Sequence, residues 1–529
     1  MNLLPLPVKI EPLPGEFQFT AATTLCTDEA NRANAAYLHN LLAIPTGFPL
    51  PIQASPAPRS ISLRIDPDLS QLGNEGYHLL VSPEAVTLEA LTPTGVFYAI
   101  QTLRQLFPPS IERRQPISGE SWRIPAVEIY DWPRFSWRGF MLDEGRHFHG
   151  KETVLQTLEL MALQKLNIFH WHLTEDQGWR VQINAYPRLT EVGSRRAGTG
   201  FGLTGKHNGV PHAGFYTQDD IRQVVAYALE RHITILPEIE FPGHSLAALA
   251  SYPELSCTGG PFEVATHPGI YPDIYCAGKE QTFTFLQNVL DEVLDIFPSP
   301  YVHIGGDEAP KKRWKACPHC QRRIQQEGLK DEHALQVYFT NRIVSYLAQR
   351  GRHVVGWNQI LDEDLASDAV VQYWMGSRQR LLQAIKEDQR KVVMSSFLDA
   401  YLDHSYSLTP LSRAYRYEPV SSGLDDTQAA CILGLEFPLW GESLPSRARL
   451  DYQAYPRLTA MAETAWTPKT LKDKHSFCQR LVYFLLRLDE LDVAYAPLHE
   501  VEPPRLKQLF GILTIPVPQT SISPEIKHV

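Results

Sequence analysis

The run HIGGDEAP, residues 303–310, brings a β-like stretch to an end in two glycines and two adjacent carboxylates. Glycine has no Cβ, so backbone and ligand can approach closely there. Side chains alternate along a strand, so Asp307 and Glu308 are expected to point differently and to do different jobs. One can donate a proton while the other aligns a group. The same short run also suits a salt-bridge pair at a strand end or a helix N-terminus, and alone it leaves these readings open.

The elements around this run are repeated β/α units. From DWPRFSW (131–137) onward, eight β-like runs alternate with helical ones: WRGFMLD, LNIFHWHLT, ITILPEI, YVHIGGD, HVVGWNQ, VVQYWM, KVVMSSF and ILGLEFPLW. Eight such units predict a (β/α)8 TIM barrel, whose sites are built at the C-terminal ends of its strands. Past the apolar part of these runs stand Arg138, Asp143, His172, Glu175, Glu240, Asp307, Glu308, Trp357, Trp374, Tyr401, Asp403, Trp440 and Glu442. Between the first two runs, Val154, Leu155, Leu158, Met161, Ala162 and Leu166 recur at helical spacing and predict a helix over 151–166. Thr217 followed by Asp220 predicts a helix start with a variant capping box. Insertions at about 178–216 and 244–280, rich in Gly, Pro, His and aromatics, are expected to shape a pocket.

Before the barrel, SISLRID (60–66), GYHLLVS (76–82) and AVTLEAL (85–91) followed by the helical stretch 94–107 predict a small α+β domain. The fold class is therefore α/β, with a companion domain at 1–130, a catalytic barrel at 131–490 and a C-terminal tail at 491–529, whose end, PVPQTSISPEIKHV, is expected to be loosely held.

Bulk properties narrow the function. The 529 residues are 43% hydrophobic and 20% charged, which is globular composition. A formal net charge of -10 argues against a nucleic-acid partner. No apolar run approaches the ~18 residues that span a bilayer, so no membrane partner is expected. The start, MNLLPLPVKIEPLPG, lacks the features of a secretory signal, and seven cysteines suit a reducing compartment, so a cytoplasmic location is expected.

Taken in order, WRGFMLDEGRHFHG (137–150), LNIFHWHLTEDQGWR (166–180), PEIEFPGHSLAAL (237–249), YVHIGGDEAPKKRW (301–314), VVGWNQI (354–360), VVQYWMG (370–376), SFLDAYLDHSY (396–406) and LWGE (439–442) resemble the family-20 glycoside hydrolases, the β-N-acetylhexosaminidases. Residues 75–107 look like that family's companion domain. The resemblance implies a retaining exo-glycosidase acting on terminal β-linked N-acetylglucosamine or N-acetylgalactosamine of a small glycan. It further implies an oxazolinium intermediate formed by the substrate itself and no metal or organic cofactor. It makes Glu308 the general acid/base, Asp307 the residue that orients the 2-acetamido N–H, and Tyr401 the holder of the acetamido oxygen. Trp357, Trp374 and Trp440 would wall the pocket, and Arg138, Asp403 and Glu442 would bond the outer hydroxyls, with Asp176 grouped among the substrate contacts. His244 and the Glu175–Asp176 pair resemble a relay that sets the protonation of Glu308. The family more often has Asp-Asp at 175–176 and Asp at 240, whereas this chain has Glu175 and Glu240, which leaves the partner of His244 open.

Two further patterns suggest metal. CPHC at 317–320 has ligand spacing, but one CxxC without a second pair is a weak signal, and no metal is assigned. HFH (147–149) and HWH (170–172) read as polar lining or hydrogen-bonded packing. The rival functions are a catalytically silent N-acetylhexosamine-binding protein on the same scaffold, and a retaining glycosidase that forms a covalent ester on a carboxylate. The sequence leaves the preferred epimer at C4 and the oligomeric state open.

Overall fold

The structure is a computed structural model that describes residues 1–55, 57–200 and 206–513. The first 131 residues build a seven-stranded sheet in the spatial order Lys9–Gln18, Arg123–Asp131, Tyr77–Val81, Val86–Ala90, Ser60–Ile65, Thr24–Thr27, Ile52–Gln53. Its centre is the hairpin of Tyr77–Val81 and Val86–Ala90, where buried and half-buried residues alternate along both strands. The expected runs at 60–66, 76–82 and 85–91 thus form strands, but the outer strands escape a period-two reading. Lys9–Gln18 carries Pro12, Pro14 and Gly15, and its register slips between Pro12 and Glu16, as suits an edge.

Helix Pro93–Leu106 is buried along nearly its whole length because one side packs on this sheet and the other meets Glu159, Leu163 and Trp466 of the barrel part. Arg104 from this helix pairs with Glu112 at 2.5 Å and with Glu159 of the first barrel helix at 2.7 Å.

All eight runs form strands of one closed parallel barrel: Trp137–Asp143, Ile168–His172, Thr234–Glu238, Tyr301–His303, His353–Trp357, Val370–Tyr373, Val392–Met394 and Ile432–Leu439. They lie in chain order, and the eighth closes on the first. The helix expected over 151–166 spans Lys151–Leu163 and buries Val154, Leu158, Met161 and Ala162. It stops short of Leu166 because Lys165 turns left-handed, with φ 58°, and sends its Nζ to the Asp131 carboxylate at 2.8 Å. The box at Thr217 and Asp220 is formed in both directions. The expectation for 516–529 falls outside the described residues.

The barrel interior is polar in one layer. His170 and His172 point inward from the second strand, where His170 contacts Glu436 at 2.6 Å and Glu238 at 3.0 Å, while His172 bonds Glu238 closely. His303 meets Glu238 at 2.6 Å, and the Trp357 indole N–H donates to it at 3.0 Å. These buried charges are paired, as an apolar surrounding demands. They also fix the ring of Trp357 from below.

Candidate active site

The fourth strand ends at His303, so Asp307 and Glu308 lie on the turn beyond it and not on the strand. Strand alternation therefore does not separate them, contrary to the expectation. The turn does, because Gly305, Gly306 and Glu308 all take left-handed φ values of 63°, 89° and 44°. Glycine is required twice here: a Cβ on Gly305 would sit 1.7 Å from Glu240 Oε2, and one on Gly306 2.4 Å from Ile360 Cγ2. Glu308 bears this conformation without that freedom, at a cost of about 1–3 kcal/mol that the surrounding structure offsets.

His244 shares the same strained geometry, with φ 46°, directly after Gly243, where a Cβ would stand 3.2 Å from the Asp307 carbonyl oxygen. Its Nδ1–H donates to Glu175 Oε1 at 2.9 Å, and Asp176 Oδ2 lies farther off at 3.4 Å. Its Nε2 faces Asp307 Oδ2 at 3.7 Å and Glu308 Oε2 at 3.6 Å. The partner left open by the sequence is thus Glu175, whose longer side chain reaches the imidazole directly. Asp176 does not line the pocket: its Oδ1 accepts the Leu246 backbone N–H at 2.8 Å, so it holds the His244 segment from behind. Its placement among the substrate contacts is corrected accordingly.

The pocket that Asp307 and Glu308 line has a volume of about 400 Å³. Trp357, Trp374, Trp440 and Tyr401 wall it, joined by Phe397, which sequence reasoning missed. Trp357 and Trp440 lie 5.5 Å apart between ring centroids, and Trp374 stacks near-parallel with Tyr401 at 6.2 Å. Such faces suit the C–H surfaces of a sugar ring. Asp403 and Glu442 also line it.

Arg138 is not there. It is the second residue of the first strand, fully buried at the opposite end of the barrel, where it binds Glu75 of the N-terminal domain at 2.7 Å and the Tyr98 hydroxyl at 3.0 Å. Its guanidinium also donates to the Phe135 and Lys165 carbonyls. Its assignment to the sugar hydroxyls is overturned by distance: at ~3.3 Å per strand residue it lies roughly 17 Å below Asp143. The arginine that lines the pocket is Arg146, just beyond that strand's C-terminal end. Asp143 holds it at 3.1 Å, Glu175 at 3.3 Å and Glu442 at 3.4 Å, and it lies over the Trp440 ring. Glu240, which the sequence already places past the third strand's apolar run, is buried in the pocket wall.

Six carboxylates, Glu175, Glu240, Asp307, Glu308, Asp403 and Glu442, share this pocket with two cations, Arg146 and His244. The imbalance shows in their proton affinities. Burial, only partly offset by His244, pushes Asp307 up to about 7, and burial with the nearby Glu442 does the same to Asp403. Burial also raises Glu240, well above the usual range. Burial opposes charge on Glu175, but Arg146 and His244 outweigh it and keep this carboxyl well below that range. For His244, burial is overcome by Glu175, Asp176 and Glu308, so the imidazolium is favoured. An excess of carboxylates around an aromatic box suits a reaction in which positive charge develops on the ligand.

Comparison with known proteins agrees with this geometry. Residues 135–469 match the model of the glycosyl hydrolase family 20 catalytic domain, and residues 1–132 that of its domain 2. A beta-hexosaminidase of Porphyromonas gingivalis is 40% identical over 94% of this chain, which spans 64% of that relative's length. One from Vibrio furnissii is 36% identical over 87% of this chain and 76% of its own. Among solved structures, the GH20 exo beta-N-acetylglucosaminidase of Vibrio harveyi in complex with N-acetylglucosamine superposes with a TM-score of 0.83. It is 32% identical over 94% of this chain and 78% of its own. With both its domains matched and an acid pair seated at the head of an eight-stranded barrel, this chain belongs to glycosyl hydrolase family 20.

Proposed function

We propose that this protein is a retaining exo-β-N-acetylhexosaminidase that uses the acetamido oxygen of its substrate as the nucleophile. The observation that carries the reading is Asp307: it lines the pocket beside Tyr401, shares His244 with Glu308, and keeps a buried Oδ1 with no protein hydrogen-bond partner. A buried acceptor of this kind is costly unless a ligand donor meets it, and the acetamido N–H is such a donor.

Glu308 gives its proton to the glycosidic oxygen as the bond to the anomeric carbon breaks. Asp307 accepts from the acetamido N–H, so that the acetamido oxygen faces that carbon and the charge of the oxazolinium ion is matched. Tyr401 donates its hydroxyl to the same oxygen. Water then opens the oxazolinium ion with Glu308 as base, and configuration is retained. Arg146, Asp403 and Glu442 meet the outer hydroxyls. We further place the protein in a reducing compartment, a reading supported by seven unpaired cysteines.

The test is hydrolysis of a chromogenic β-N-acetylglucosaminide. Turnover is expected, and Glu308→Gln should lose more rate on sugar leaving groups than on acidic phenols, which need the acid least. Binding of N-acetylglucosamine without turnover would instead identify a silent sugar-binding protein.

A further inference from the structure

Cys257, Cys276, Cys317 and Cys320 converge on one point next to the pocket loops, with their four sulfurs within 4.8 Å of one another. They come from distant stretches. Cys257 and Cys276 belong to the segment after the third barrel strand, which also carries His244, and Cys317 and Cys320 follow the turn that carries Asp307 and Glu308. Among the sulfur pairs, Cys276 and Cys320 lie 3.6 Å apart, Cys276 and Cys317 3.7 Å, and Cys257 and Cys320 3.8 Å.

These spacings discriminate. A disulfide would bring two sulfurs to ~2.05 Å. A tetrahedral zinc ion with Zn–S bonds of ~2.3 Å holds its sulfurs ~3.8 Å apart. Three of the four cysteines are buried, and Cys317 and Cys320 sit at the N-terminus of helix Pro318–Gln326, whose free N–H groups favour thiolates. The two segments can close on each other only because residue 278 is glycine: a Cβ there would lie 2.1 Å from the His319 carbonyl carbon and 2.3 Å from the Cys320 nitrogen.

We propose that Cys257, Cys276, Cys317 and Cys320 form a structural tetrathiolate zinc site that fastens the segment of His244 to the turn of Asp307 and Glu308. A sulfur-only set selects zinc over hard cations, and four protein ligands leave no open position for substrate. Binding sends the four thiol protons to solvent. The fastening continues around the cluster, where the Trp314 indole N–H donates to the Tyr275 carbonyl at 2.9 Å and Arg313 pairs with Asp273 at 2.8 Å. The second pair is invisible to a CxxC search because Cys257 and Cys276 are not closely spaced in the chain.

The experiment is elemental analysis of the full chain purified under reducing conditions without chelator. About one zinc per chain is expected, falling below roughly a tenth in Cys317→Ser/Cys320→Ser together with a lowered Tm. Should that variant not fold, the wild-type protein loaded with cobalt is expected to show the visible d–d and thiolate charge-transfer bands of a tetrahedral sulfur site. Wild-type protein free of zinc would overturn the proposal, whether its cysteines are thiols, are paired as two disulfides by mass spectrometry, or hold iron. So would full zinc content in the double variant. None of these readouts depends on turnover of a hexosaminide.

Discussion

The imidazole Nε2 of His244 lies 3.6 Å from a carboxylate oxygen of Glu308, and both residues hold left-handed backbone conformations, with φ of 46° and 44°. Two strained turns thus face each other, and Asp307, 3.7 Å from the same nitrogen, shares the imidazole's charge.

The pH dependence of turnover should report this sharing. Burial raises Asp307 to about 7 in the free protein while His244 pulls it down. In the proposed mechanism Asp307 acts as an anion, so kcat/KM should fall as pH drops through that value. Removing the cation in His244→Asn should move this acidic limb to higher pH and cost about 10–10² in rate. Substrate binding, by donating the acetamido N–H to Asp307, favours the anion, so the limb of kcat should lie below that of kcat/KM. Identical limbs in variant and wild type would separate His244 from Asp307.

Arg138 and Arg146 should part company under substitution. Arg138→Ala leaves Glu75 in the domain interface without its main partner and should destabilise the fold by about 3–5 kcal/mol, with near-normal KM in whatever stays folded. Arg146→Ala should raise KM for the terminal sugar and lower Tm less. Thermal melts and steady-state kinetics on both variants decide this, and a KM defect confined to Arg138→Ala would contradict it.

That contrast also shows where the sequence was legible. All eight strands were readable because each is a short apolar run between turn signals, and the acid pair because two glycines and two carboxylates end one of them. The position of Arg138, near the start of its strand, was itself the signal that it could not reach the C-terminal end, while Arg146 stood beyond that end in DEGRH. Phe397 carries no such mark, because a lone aromatic past a strand suits packing equally well. The four-cysteine cluster depends on two loops meeting, which no local pattern encodes.

The buried histidine layer predicts the pH dependence of stability. Burial disfavours charge on His170 and His172, but Glu436 and Glu238 outweigh it and raise them to about 9 and about 10, while burial lowers His303. Two imidazolium ions thus balance Glu238 and Glu436. The folded protein binds these protons more tightly than the unfolded chain, whose histidines titrate near ~6.5. Their contribution is therefore complete below that pH and is lost as pH rises through 9 to 10. Tm should fall steadily from neutral pH to pH 10, as stability drops by about a few kcal/mol. A flat or rising Tm over that window would show the layer to be uncharged.

The central claim is that the substrate supplies the nucleophile, and the most direct measurement compares kcat/KM for an aryl β-N-acetylglucosaminide with that for the matched aryl β-glucoside. An intramolecular nucleophile carries an effective molarity of about 10⁵ M or more, so the acetamido substrate should be favoured by at least ~10³-fold. Asp307→Asn and Tyr401→Phe should each erode that preference by lowering kcat more than binding. Turnover of the two substrates within about tenfold of each other, or a glycosyl ester trapped on Asp307, would contradict the account.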